Sequence, residues 1–97
     1  MIDGGFDQLS VTQKLIIDVC NEIKDLLLTK NRKYGDSAVR PVRIFSKASP
    51  IEQINVRLDD KISRLKSCQS DEDEDIELDL VGYLILKRVA LLIDRTK

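Results

Sequence analysis

The chain has no histidine and no tryptophan, and only two cysteines, two prolines, four glycines and four aromatic residues. Lack of histidine excludes Ser-His-Asp and Cys-His nucleophile activation, His-ligated zinc and a charge switch near neutral pH. Any catalysis must come from carboxylates and a metal. No apolar run reaches the ~20 residues of a bilayer span. The greasiest stretch, Leu78 to Ile93, is interrupted by Asp79, Lys87 and Arg88, so no membrane partner is expected. Cys20 and Cys68, far apart and with no secretory leader before them, point to reduced, buried or half-buried thiols in a cytoplasmic protein.

What is present is charge, and it is unevenly placed. The 97 residues carry a net charge of −1. Residues 1–29 hold two Lys/Arg against five Asp/Glu, residues 30–66 hold ten against four, and residues 67–97 hold four against eight. A basic centre between acidic ends suits either self-association or a phosphate-binding middle flanked by carboxylates.

Three helix starts are written in capping signatures: Ser10-Val11-Thr12-Gln13, Ser49-Pro50-Ile51-Glu52 and Ser70-Asp71-Glu72-Asp73. The fold class is therefore all-α, a single domain spanning residues 1–97. It divides into a lead-in over 1–9, with Phe6 as an anchor, helix one over 10–31, a basic loop over 32–48, helix two over 49–68 and helix three over 70–95. Helix one is amphipathic, with Val11, Leu15, Ile16, Val19, Cys20, Ile23, Leu26 and Leu27 at helical steps and Asp18, Glu22 and Asp25 on another stripe. Helix two turns Ile51, Ile54, Leu58, Ile62 and Leu65 inward. Helix three is apolar on most sides, more than two partner helices can cover, so the three-helix protomer is expected to assemble into an oligomeric bundle through helix three. Gly82 in the middle of that helix costs ~1 kcal/mol relative to alanine and implies the close approach of another helix or a ligand.

The connection from Asn31 to Ala48 is long for a compact domain, and long ordered loops are often functional. In it Tyr34-Gly35-Asp36-Ser37 reads as a turn, and Ile44-Phe45 is expected to tuck back onto the core. The cations around the loop, Lys30, Arg32, Lys33, Arg40, Arg43 and Lys47, continue into Arg57, Lys61 and Arg64 of helix two. Such a cluster suits phosphate, and Tyr34 or Phe45 could stack on a base. Net charge near zero favours a small phosphorylated ligand over a nucleic-acid polymer. The acidic candidates are Glu22 and Asp25 on helix one and Glu72, Asp75 and Asp79 at the start of helix three, where carboxylates on facing helices could hold Mg²⁺. Residues in a first turn also serve the helix dipole. Asp79 lies beyond that turn among apolar neighbours, which calls for a function or an ion pair with Arg57 or Arg64.

In order along the chain, Lys33-Tyr34-Gly35-Asp36-Ser37, Ile44-Phe45-Ser46-Lys47, Arg57-Leu58-Asp59-Asp60-Lys61-Ile62-Ser63-Arg64 and Asp75-Ile76-Glu77-Leu78-Asp79-Leu80-Val81-Gly82-Tyr83 resemble a known family. It is the nucleotide modification associated domain 1 family of small phage and bacterial proteins. That family is similar in turn to the all-α, MazG-like nucleoside triphosphate pyrophosphohydrolases. The resemblance implies an oligomeric helical bundle that handles nucleotides, and a phage origin would place it in the host cytoplasm. The pyrophosphohydrolases carry E-x-x-E and E-x-x-D pairs for Mg²⁺; here the first can be matched only by Glu22-x-x-Asp25, with Asp in place of the second Glu, and Glu72-x-x-Asp75 lies at a helix start rather than deep in helix three.

Three readings stand at this point. In the first, Lys33, Tyr34, Arg40, Arg43, Phe45, Lys47, Arg57, Lys61 and Arg64 grip a small nucleotide or cyclic nucleotide without cofactor or turnover, like the sponges with which phages sequester nucleotide immune signals. In the second, Glu22, Asp25, Asp75 and Asp79 bind Mg²⁺ for pyrophosphohydrolysis in nucleotide metabolism or DNA-base modification. In the third, the charge segregation serves assembly alone.

Overall fold

A computed structural model describes residues 8–68 and 74–95, in three helices: α1 (Val11–Tyr34), α2 (Pro50–Ser67) and α3 (Ile76–Arg95). Among the described residues there is no strand. No helix among them is long and apolar enough to cross a membrane. The Phe6 lead-in and the Ser70 capping signature lie outside the described residues.

The first two caps form as their sequences dictate. Ser10 Oγ accepts from Gln13 N at 3.1 Å while Ser10 N donates to Gln13 Oε1 at 2.9 Å. This reciprocal box satisfies two of the donors that a helix start leaves without partners. At α2, Ser49 Oγ accepts from Glu52 N at 3.1 Å and Pro50 fills the first helical position. The start of α3 differs from expectation: residues 74 and 75 precede the helix, and Asp75 caps it, its Oδ1 accepting from Leu78 N at 2.9 Å.

α1 runs three residues further than the sequence suggests, to Tyr34, because Arg32 and Lys33 in its last turn complement the negative helix end. Gly35 stops it at φ 73, ψ −159, with its N–H donating to Asn31 O at 2.7 Å. That conformation is essentially restricted to glycine. Asn31 Nδ2 then ties the turn to Asp36 Oδ1 at 2.9 Å, and Asp36 O accepts from Val39 N and Arg40 N at 3.0 and 2.7 Å. Gly35→Ala is expected to cost roughly 1–3 kcal/mol, read as a lower midpoint in urea unfolding. An unchanged midpoint would mean that α1 does not end in this geometry.

The core lies between α2 and α3, where Ile54 (1% exposed), Leu58 and Ala90 are joined by Val39 from the loop and flanked by Ile51, Leu80, Tyr83, Leu86 and Ile93. Val39 is thus the loop's apolar anchor. The expectation that Ile44 and Phe45 tuck inward is corrected: they are 69% and 98% exposed. The turn that bears them is closed instead by side chains bonding backbone carbonyls, Arg43 Nη2 donating to Lys47 O at 2.9 Å and Lys47 Nζ to Arg43 O at 3.4 Å. Ile62 and Leu65, expected inward, are also exposed, because the packed part of α2 is its first half. Both free cysteines are exposed rather than buried. Cys68 occupies the left-handed cap of α2 at φ 56, and Cys20 lies on the uncovered part of α1.

α1 meets α3 over a short crossing centred on Gly82, which is buried. A β-carbon at Gly82 would stand 3.3 Å from Leu27 Cδ2. The mid-helix glycine is therefore accounted for by the close approach of α1.

Candidate functional site

Two charged assemblies sit where the three helices converge. In the first, α2 presents Lys61 and Arg64 one turn apart to the carboxylates around the start of α3. Lys61 Nζ lies 3.0 Å from Glu74 Oε1 and 3.2 Å from Asp79 Oδ2. Arg64 Nη1 donates to both Glu74 oxygens, at 2.8 and 2.9 Å, and Arg64 Nε pairs with Asp60 Oδ2 at 3.2 Å. Lys30 of α1 reaches Asp79 Oδ1 at 3.9 Å, so Asp79 links all three helices. Asp79 is ion-paired, but to Lys61 and Lys30 rather than to the expected Arg57 or Arg64, because Arg64 is taken by Glu74 and Asp60 and Arg57 lies against Tyr83. Glu74, the most heavily used carboxylate of the group, escaped the sequence reading because it is one acid in a run of five and precedes the helix.

Lys61 and Glu74 side chains are only 14% and 13% exposed, which strengthens their attraction. The bond to Glu74, helped by Asp79 and opposed by partial burial, raises the Lys61 ammonium above its ordinary range. The bond from Lys61, opposed by partial burial and helped by Arg64, holds Glu74 below the ordinary carboxylate range. The depressed Glu74 contributes stability that is present above its unfolded value of about 4.5 and lost as pH falls through its lower folded value. The raised Lys61 contributes stability that is present below about 10.5 and lost as pH rises through its higher folded value. Urea midpoints measured from pH 3 to 11 should therefore show a plateau between those limits and a fall on each side. A midpoint still rising below pH 4 would contradict the pairing.

The second assembly is a cleft of about 410 Å³ between α1, the Gly35 turn, α2 and α3. Leu26 and Leu27 of α1 and Leu78 and Leu86 of α3 supply its apolar lining. Its polar groups are Lys30, Asn31, Tyr34, Ser37, Arg57, Asp79 and Tyr83. The Arg57 guanidinium lies 5.9 Å from the Tyr83 ring centre, with a long contact of 3.5 Å from Nη1 to the hydroxyl. A volume in the range of small-molecule sites, with rings from two helices and two cations, can hold a flat ring system bearing an anionic group.

Of the residues singled out for phosphate and base, Tyr34 and Arg57 line this cleft, and Lys33 lies beside it with Nζ 5.3 Å from the Tyr34 ring centre. Lys61 and Arg64 are engaged by Glu74. Arg40 pairs with Asp36 at 3.6 Å, and Arg43, Phe45 and Lys47 stand on the exposed loop, outside the cleft lining. Lys30 belongs to the basic cluster read from the sequence, whereas Asn31 and Tyr83 were missed as site residues. Tyr83 offered one usable signal, a polar-tipped ring in an apolar helix seven residues before Ala90, on the side that faces the core.

The carboxylates considered for Mg²⁺ do not gather. Asp75 caps α3, Asp79 is held by two lysines, and Glu22 and Asp25 are exposed on α1. Among the described residues no three acidic, cysteine or histidine side chains stand together as a metal site. Glu72 lies outside the described residues. No family model, curated protein or solved structure matches the chain.

Proposed function

We propose that the protein binds a small nucleotide or cyclic nucleotide in the cleft between α1 and α3 and holds it without turnover, as a sequestering protein of the phage sponge kind. The observation that carries this reading is the joint presence of Tyr34, Tyr83, Arg57 and Lys30 around one 410 Å³ cleft. The rings suit a base or ribose face, and Arg57, whose planar fork matches phosphate oxygens, suits the phosphate, with Lys30, held by a long 3.9 Å contact to Asp79, as the second cation within reach. Asn31 and Ser37 supply hydrogen bonds for orientation. Binding without hydrolysis is supported by Asp79, whose carboxylate oxygens are already directed to Lys61 and Lys30. A metal there would have to compete with two ammonium groups.

The test is to incubate the full chain with a panel of nucleoside triphosphates and cyclic nucleotides, with and without Mg²⁺, and to analyse the free fraction and the fraction released by denaturation. Intact ligand recovered only after denaturation is the expected result. Arg57→Ala should weaken binding roughly 10- to 100-fold, the worth of a charged hydrogen-bonded contact. Pyrophosphate released in a Mg²⁺-dependent way, and lost in Asp79→Asn, would replace sequestration by hydrolysis. Absence of any bound nucleotide, with Arg57→Ala altering only solubility or assembly, removes both readings.

A further inference from the structure

The amino-terminal half of α1 stands clear of its own protomer. Every residue from Val11 to Glu22 is exposed, and burial on this helix begins at Ile23. Those twelve positions extend about 18 Å, a length of helix with little stability on its own. Its side chains are not those of a solvated arm: Val11 is 74% exposed, Leu15 and Ile16 56% each, and Val19 51%. At 100° per residue they fall on the same arc as Ile23, Leu26 and Leu27, which are buried or half-buried. One apolar stripe runs the length of α1, and only its carboxyl-terminal part is covered.

α3 carries a second bare stripe. Tyr83 and Ala90 face the core, and on the opposite side Val81, Ile85, Val89 and Leu92 follow one another at steps of four, four and three. Val81 to Leu92 span about 17 Å, close to the length of the bare arm. Both stripes present ridges at four-residue spacing, which can interlock. Asp18 and Glu22 lie along the arm and Arg88 beside the α3 stripe, so the rims are opposite in charge.

The surface area is of matching size. The chain exposes 7890 Å², whereas a compact protein of 11.1 kDa exposes about 5,700 Å². Its radius of gyration is 16.6 Å, against about 12.5 Å for a compact domain of this length. Part of the excess of about 2,200 Å² belongs to the exposed loop around Val42, Ile44 and Phe45, and the remainder has room for the ~800 Å² per partner of an ordinary interface.

We propose that a second copy of this chain covers both stripes, in a two-fold dimer where the α1 arm of one protomer lies along the α3 stripe of its partner, and reciprocally. Such a contact is self-complementary and closes at two copies. It does not depend on the nucleotide reading.

Light scattering on the full chain during gel filtration tests it without any variant: the expected mass is twice 11.1 kDa. Val19→Glu and Ile85→Glu, each placing a charge in one of the two stripes, should each raise the dissociation constant at least about 100-fold, with helicity by circular dichroism retained because both side chains are exposed in the protomer. Equimolar mixing of the two variants should then restore part of the dimer, since the mixed pair keeps one arm and one stripe undamaged. A wild-type chain that stays monomeric at all concentrations overturns the proposal. So does a dimer that survives Val19→Glu, or a mixture no more associated than its components, because either result means that the arm does not lie on the partner's stripe.

Discussion

Ile54→Ala is expected to destabilise the protein by roughly 2–5 kcal/mol and to lower the thermal midpoint by about 10–25 °C, followed by circular dichroism at fixed protein concentration. Ile54 is the most completely buried large side chain described, and it contacts a cluster that draws on α2, α3 and the loop through Leu58, Ala90 and Val39. Truncation removes apolar surface from all three at once, and helices tied at both ends cannot collapse far into the gap. A domain of this length has only about 5–15 kcal/mol in hand, so the variant sits near the edge of folding at 37 °C. Ile62→Ala on the same helix, at 52% exposure, should cost under about 1 kcal/mol. Equal losses from the two changes would show that the core does not lie in the first half of α2.

Lys61→Met should destabilise by roughly 1–3 kcal/mol near neutral pH, and the size of the loss should depend on pH. Methionine keeps most of the chain's bulk but removes the ammonium shared by Glu74 and Asp79. Glu74 keeps Arg64, whereas Asp79 is left with Lys30 at 3.9 Å. The rim of the cluster is wet, and screening there holds the loss below that of a fully buried pair. Acid protonates Glu74 and base deprotonates Lys61, so either extreme already deprives the wild type of their attraction. The difference between wild type and variant is therefore expected to be largest between about pH 4.5 and 10.5 and to shrink outside that window. A difference independent of pH would assign the loss to packing of the lysine stem and would leave the ion network without a stabilising role.

These two residues show how far local sequence carries the fold. Ile54 and Leu58 are legible because a period of 3.6 puts them on one face, whichever partner that face meets. Ser10 and Ser49 are legible because a cap acts within four residues of chain. Ile44 and Phe45 were misjudged for the opposite reason: apolar residues in a loop have no period, and the space they were expected to fill is occupied by Val39, brought in by the Asp36 turn. The cleft was partly legible. Tyr34 and Arg57 stood out as chemically suited, and Lys30 and Asn31 stand within a turn of Tyr34 on α1, but these meet Arg57 and Tyr83 only because α1 crosses α3 at Gly82.

The sequence by itself determined three helices with two of their caps, an apolar excess on α3 and a basic middle between acidic ends, all of them properties of neighbours within a turn or two of chain. Only the tertiary structure decided which charges pair with one another and which line the cleft. Attraction between Lys61, Glu74 and Asp79 depends on a few ångströms between different helices, and that distance follows from how α1 and α2 pack on α3. With no histidine available, the carboxylates were the one open route to metal chemistry. Packing directs Asp79 to Lys61 and Lys30 and Asp75 to a helix end, and it brings Arg57, Tyr34 and Tyr83 to the lining of one cleft.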